Sequence, residues 1–519
     1  LSPVAAARVV ALLLVLALAA FGAACHQYSF SSNGEGEYVW SHGPRKLLVK
    51  VLGEIELTAD DSDVAQLSPD GYLMIEESIA WDSKIIEFSA GPDGKVQKRL
   101  LVEGKEQPLD AQSLAWMRRL LPEVIRHTGI AAESRAKRLL ASGGFRALAA
   151  ELKRIDRGAA ASRYVEVAFE SDLLSEEEQA ELLRDLADYI HSDSRRTDLL
   201  RRLSARAAAE PMRGAFFEAV DSIGSDSNRT DLLSEVWAGS AKDAALAKRL
   251  LESAGRIGSD SNKTRLLTQA AAELPADAGV REAFFASTGA IGSDSNKSNV
   301  LRAVLPRAEQ DRELLAPLLD TSHRIGSDSN KAALLSEAAR YAGATPQVRE
   351  AFFTAAETIG SSSNRQQVLD AVLDGGQVDG PTLARLYRAA SSMGSDSNKA
   401  EVLTRSVASY REDAEVRQAF FAMAGTVGSN SNRASAFAAL LERPALDAET
   451  VLALIESTES IGSDSNKADV LARVAQRGDS DPRIAARLQR AARTLGSDSA
   501  YRRVMGEMQG EAKRAQGEI

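Results

Sequence analysis

The string Ile-Gly-Ser-Asp-Ser-Asn, or a close variant of it, begins at Ile190, Ile223, Ile257, Ile291, Ile325, Ile359, Met393, Val427, Ile461 and Leu495. The first interval is 33 residues and every later one is 34. A fixed period of this length marks one supersecondary unit used many times over. A lone pair of short helices cannot bury its own apolar face, so neighbouring copies must bury it for one another.

The unit from Ile325 to Ile359 shows what each copy contains. Leu334, Leu335 and Ala338 share one face of a first helix, and Gly343-Ala344-Thr345-Pro346 breaks it. Val348, Ala351, Phe352, Ala355 and Ile359 then fall at the spacing of a second amphipathic helix. Gly326 follows the preceding stripe, where a helix commonly ends in a left-handed residue. Ser327 is placed to cap the next helix, and Asp328 to sit in its first turn, where the dipole favours negative charge. The pattern predicts a mainly α fold: a right-handed-type α-solenoid of about ten 34-residue helix-turn-helix repeats over residues 190–519. A second period lies inside the first. Phe216-Phe217, Phe284-Phe285, Phe352-Phe353 and Phe420-Phe421 stand 68 residues apart, with Leu250-Leu251, Leu318-Leu319, Leu386-Tyr387 and Leu454-Ile455 between them. Duplication of a two-repeat unit accounts for this alternation.

Upstream the signal changes. Weaker copies of the pattern follow Ile130 and Ile155, so residues 111–189 read as a helical bridge with degenerate repeats. Its first helix begins near Asp110, with Trp116, Leu120, Leu121, Val124 and Ile125 on one face. Residues 25–110 read as a small β-rich module, an antiparallel β-meander of about five or six strands preceding the solenoid. Lys46–Leu57, Tyr72–Ile79, Lys84–Phe88 and Lys95–Val102 are its strand candidates, and Pro69-Asp70-Gly71 and Pro92-Asp93-Gly94 are turn signals between them.

Residues 1–24 read as a signal peptide, because the apolar run 9–21 is short for a bilayer span but suits a leader core. Cys25, the only cysteine, follows Gly22-Ala23-Ala24 as in a bacterial lipobox and is the candidate lipid-attachment residue. Cleavage after Ala24 without lipidation and an uncleaved anchor are the alternatives. Each of the three exports the chain to the cell envelope. A net charge of −10 carries no basic face and argues against a nucleic-acid partner.

Chemistry-bearing patterns are few. His26, His42, His127, His191 and His323 are scattered without a metal-ligand spacing. Ser134-Arg135-Ala136-Lys137 matches the SxxK of penicillin-binding enzymes, but the His127-Thr128-Gly129 that echoes their second motif precedes it, in the wrong order. The repeated Asp offers one carboxylate per loop, too few for calcium, and Ser362 and Asn430 replace it in two loops. Lys263, Lys297, Lys331 and Lys399 beside successive helix starts form a possible anion-attracting edge. No catalytic residue, cofactor or metal site is expected, and the chain reads as a non-enzyme.

Leu67-Ser68-Pro69-Asp70-Gly71, the stretch Val102-Glu103-Gly104-Lys105-Glu106-Gln107-Pro108-Leu109-Asp110 and the SD-x-x-K repeats resemble uncharacterised bacterial envelope proteins. These in turn are similar to the exported regions of antirepressor membrane metallopeptidases of the beta-lactam-sensor type. The chain departs from their pattern in placing Ser after the Asp, as at Ser261, and it carries no peptidase domain. The resemblance implies an envelope sensor or interaction accessory and transfers no catalytic residue. The leading reading is an exported, lipid-anchored scaffold that binds an envelope protein along the solenoid surface, touching the membrane only through its N-terminal lipid. The alternatives are an envelope sensor of glycan or peptide signalling to a membrane protein, and an unrecognised hydrolase.

Overall fold

The computed structural model describes residues 27–30, 36–155, 158–240, 243–375 and 378–515. The leader 1–24, Cys25 and His26 lie outside the described residues, as do Gly376 and Gln377 of one inter-helix turn. The chain forms two compact units that divide between Leu232 and Leu233.

The first unit opens with nine strands: β1 Gln27–Phe30, β2 Gly36–His42, β3 Arg45–Leu52, β4 Ile55–Leu57, β5 Val64–Leu67, β6 Tyr72–Ile79, β7 Asp82–Ala90, β8 Val96–Val102 and β9 Lys105–Gln107. Seven make one antiparallel sheet in the order β1-β2-β3-β6-β7-β8-β9, and β4 and β5 pair apart from it. The stretch 46–57 is therefore not one strand. Gly53 breaks it with a φ of 69°, and a side chain there would collide with Ser68 Oγ at 2.3 Å.

Alternation places Leu47 and Val49, Leu73 and Ile75, and Ile86 and Phe88 on one buried face. Against that face packs α1 (Ala111–Thr128), capped by Asp110, whose carboxylate accepts the N–H of Ser113 at 2.8 Å. Trp116, Met117, Leu120, Leu121, Val124 and Ile125 join the sheet residues in a single core, so sheet and first helix bury one another. Two further helices follow, α2 (Ala132–Leu152) and α3 (Gly158–Glu170), and the first repeats complete the unit.

The second unit is a two-layer stack of helical pairs. In the copy beginning at Ile325, the first helix (A) spans Asp328–Ala338 and the second (B) spans Pro346–Glu357. A helices pack on the next A helix and B helices on the next B helix, as Asp260–Ala271 does on Asp294–Ala308 and Ala244–Gly255 on Ala278–Gly289. Ser327 caps its A helix through the N–H of Asn330, and Thr345 caps the B helix through Val348, with Pro346 in the first turn. Asp243, Asp277, Asp379, Asp413 and Asp447 cap five other B helices in the same way and Asp481 caps a sixth through Arg483, whereas Leu315–Ser322 has no side-chain cap.

The phenylalanine pairs stand edge to face, with ring centroids 5.3 Å apart in Phe284–Phe285 and in Phe352–Phe353. Phe352 and Phe353 are both fully buried, so the B helix is covered on more than its inner stripe. Phe352→Ala should therefore cost about 3–5 kcal/mol in the second unit, read as a lowered midpoint in urea unfolding.

Candidate binding face of the helical repeats

The loop between repeats was the richest source of candidate chemistry, and the structure spends its polar groups on joining neighbours. Asp294 extends forward into the next loop and accepts the backbone N–H groups of Gly326 at 3.0 Å and Ser327 at 2.7 Å. Asp260, Asp328 and Asp396 do the same for Gly292 and Ser293, Gly360 and Ser361, and Gly428 and Ser429. Ser362 substitutes with one hydroxyl, 3.1 Å from the N–H of Gly394 and 3.2 Å from that of Ser395. In the first unit Asp193 reaches Ser225. Bonds from the next loop's glycine N–H lead the causes that hold Asp260, Asp294 and Asp396 below the usual carboxylate range.

This geometry corrects the reading of Gly326. It does not adopt a left-handed conformation, and the glycines at the same place in the other joints do not either. Glycine suits the position because the carboxylate comes so close: a Cβ on Gly326 would stand 3.2 Å from Asp294 Oδ2 and push it back by a few tenths of an ångström. Where Ser362 replaces the Asp, the corresponding distance at Gly394 relaxes to 3.9 Å.

The lysine edge is corrected as well. Lys263, Lys297, Lys331 and Lys399 are buried. Lys297 Nζ donates to the carbonyl of Arg324 at 2.7 Å and Lys399 Nζ to that of Thr426 at 3.0 Å, while Lys331 Nζ donates to Thr358 Oγ1 at 2.7 Å. Their ammonium groups face the C-terminal end of the B helix of their own repeat, where the dipole is negative. Arg365 and Arg433 fill the same position in their repeats.

Other sequence candidates also resolve into structure. Ser134 Oγ donates to the Ala131 carbonyl and Lys137 pairs with Glu133, while Arg135 between them is buried against Asp61, Glu151 and Tyr164. His127 stacks on Trp40 with centroids 4.7 Å apart, and His191 bonds to the Ala187 carbonyl. Among the described residues no three His, Cys, Asp or Glu side chains converge as metal ligands.

What remains is a groove of about 440 Å³ on the A-helix face, crossing three consecutive repeats. Ser336 lines it from one A helix, Gln366, Gln367, Asp370 and Asp374 from the next (Ser362–Asp374), and Arg405 from the third (Asp396–Ser406). Arg405 bridges the two carboxylates, 3.4 Å from Asp370 and 2.7 Å from Asp374. Gln366 donates to Asp370 Oδ2 at 3.2 Å. Asp370 Oδ1 and Ser336 Oγ have no hydrogen-bond partner among the described residues. Burial pushes the Asp370 carboxyl up, against the opposing pull of Arg405.

Sequence reading passed over this group, although a signal was present. Asp370 stands 11 residues after the motif's first residue, where other repeats carry Ser234, Thr268, Arg302, Ser336, Thr404, Ala438 and Ala472. It is the acidic exception, in the repeat whose motif also exchanges Asp for Ser362. Thr268, Arg302 and Thr404 are exposed at this register, whereas Asp370 is only 9% exposed.

Compared with known proteins, the chain matches no protein-family model and no curated sequence.

Two outcomes follow for the joint. Gly394→Ala should leave stability unchanged or raise it by about 0.4–1 kcal/mol, as at any compatible glycine, whereas Gly326→Ala should lower it. Adding Asp294→Ser to Gly326→Ala should recover part of that loss in a double-mutant cycle by urea unfolding. Because Asp260, Asp294 and Asp396 titrate low in the fold, their contribution is present above the unfolded carboxylate range and is lost as pH falls through their folded values. Asp294→Asn should therefore lose less stability than the parent when the pH is taken below about 4.

Proposed function

We propose that this protein is an exported scaffold, lipid-anchored through Cys25, which binds an envelope protein on the A-helix face of its second unit. The observation that carries the reading is Asp370, a buried carboxylate with one oxygen left without a partner in a polar groove. An unsatisfied buried acceptor is costly, and a partner that displaces Gln366 or Arg405 to bring a donor to it removes that cost. The partner group that suits it is a lysine, an arginine or a main-chain N–H, seated beside Arg405 and the two glutamines. The joints consume the motif's own polar groups, which leaves the varied residues of the A face for recognition. The likeness to exported regions of antirepressor metallopeptidases favours the same role, an accessory or sensor in the envelope rather than an enzyme.

The groove's volume also falls in the range of small-ligand sites, which keeps the sensor reading as the second one. In-cell crosslinking of the full-length protein, followed by mass spectrometry, decides between them. The scaffold reading expects one dominant envelope protein, lost with Asp370→Arg while the melting temperature is retained. Recovery that ignores the substitution overturns it. No enriched protein, together with thermal stabilisation by glycan or peptide fragments, selects the sensor.

The energetics of Asp370 can be checked separately. Its folded pKa lies above the unfolded value, so its contribution is greatest below the unfolded carboxylate range and is lost as pH rises through the folded value. Asp370→Asn should accordingly be at least as stable as the parent at neutral pH, with its relative advantage shrinking as the solution is acidified.

A further inference from the structure

Strand register determines where the chain enters the sheet. Gln27 pairs with Val39 and Phe30 with Gly36, so the start of β1 lies toward the end of the sheet where β2 finishes. His42 pairs with Arg45, Arg45 with Ile79, Ile79 with Asp82, and Lys84 with Val102. The β2–β3, β6–β7 and β8–β9 turns therefore share that end, and β1, whose first residue stands opposite the middle of β2, runs away from it. An N–H···O bond of 3.4 Å from Ala80 to the Pro44 carbonyl ties the first two turns together.

The β6–β7 turn carries an apolar tip that nothing in its unit covers. Trp81 is 97% exposed and Ile79 is 46% exposed. Leu173 is the one other exposed large apolar side chain among the described residues, so two of three stand together at this turn. Ala80 between them adopts a left-handed φ of 56°, a conformation that costs an L-residue energy.

Cys25 precedes β1 by two residues, which span at most about 7 Å of chain. A lipid on that sulfur is therefore tethered within that length of the start of β1, whose direction points back toward the end of the sheet that presents Trp81. Three to four strand spacings, on the order of 15 Å, separate β1 from that turn across the sheet. We infer that this end of the sheet faces the bilayer, and that Trp81 and Ile79 sit in the headgroup region as a second membrane contact beside the lipid. Tryptophan suits that depth, with an apolar ring and a polar N–H. The diacylglyceryl group of a lipobox cysteine brings two acyl chains, enough for stable anchoring, so the tip fixes how the sheet stands on the bilayer and does not supply the affinity. Asp82 and Glu103 offset Lys84 and Lys105 around the tip, so the contact is apolar and insensitive to salt. The inference rests on the reading of Cys25 as the lipid site.

The test uses the full-length protein isolated from membranes and reconstituted in vesicles of phosphatidylethanolamine and phosphatidylglycerol with bromine-labelled acyl chains. The emission of Trp81 is obtained as the difference between the parent and Trp81→Phe, a change at an exposed site that leaves melting unaltered. Expected is co-sedimentation with the vesicles and loss of most of that difference emission, equally at low and high salt. Co-sedimentation with the difference emission unquenched overturns the tip contact and leaves the lipid reading standing. Failure to sediment overturns both.

Discussion

The aspartate that reaches from one repeat into the next loop sets the terms for the rest of the array. A helix start leaves backbone N–H groups without intrahelical partners, and a helix end leaves carbonyls in the same condition. Where a B helix ends and the next A helix begins, both kinds of orphan crowd into a few residues. In the joint between Asp294 and Gly326 the carboxylate takes two of the N–H groups, and Lys297, from the same turn of helix, takes a carbonyl. Opposite charges thus meet opposite ends of the peptide dipole at one loop. Burial of leucine and phenylalanine supplies most of the attraction between repeats, but it is non-directional and tolerates sliding. The paired polar grip holds one register.

This division of labour explains why the loop is nearly constant while the outer face of the A helices varies. Glycine leaves space for the incoming carboxylate, serine caps its own helix, and the lysine side chain is drawn inward to the following helix end. None of these groups is left over for a ligand. The groove around Asp370 lies instead in the variable register of the A helix, in a repeat where Ser362 and Arg365 replace the usual Asp and Lys. Both replacements keep the joint closed: Ser362 still accepts two N–H groups, and Arg365 still reaches Ser392 at 2.7 Å.

Much of the architecture was legible because it is local. The period, the two helices per copy, the Ser327 cap, the Asp110 helix start and the burial of Phe352 all follow from spacing within one repeat. The features that escaped depend on residues 27 to 33 positions apart, brought together by the packing of helices. Taken loop by loop, Gly326 looks like a helix terminator and Lys297 like a surface cation; Asp294 of the preceding repeat and the end of Lys297's own B helix show otherwise. Asp370 escaped for a related reason. Its register is exposed at Thr268, Arg302 and Thr404, and its burial comes from Arg405 and Gln366 closing over it. In the sheet, Gly53 was passed over because a strand-like composition continues on both sides of a residue whose left-handed φ turns the chain.

Each described joint has a giving side and a receiving side, and they come in a constant order. The carboxylate, or the Ser362 hydroxyl, belongs to the earlier repeat, and the loop it holds belongs to the later one. The stack is therefore vectorial, like a row of hooks each awaiting the eye behind it. A chain that emerges from its N-terminal side presents every new loop to a neighbour already equipped to receive it. Added from the opposite direction, the same loop would stand with bare N–H groups until its holder arrived. Direction of synthesis and direction of the joint coincide, so the order in which repeats are made is also the order in which they can be fastened.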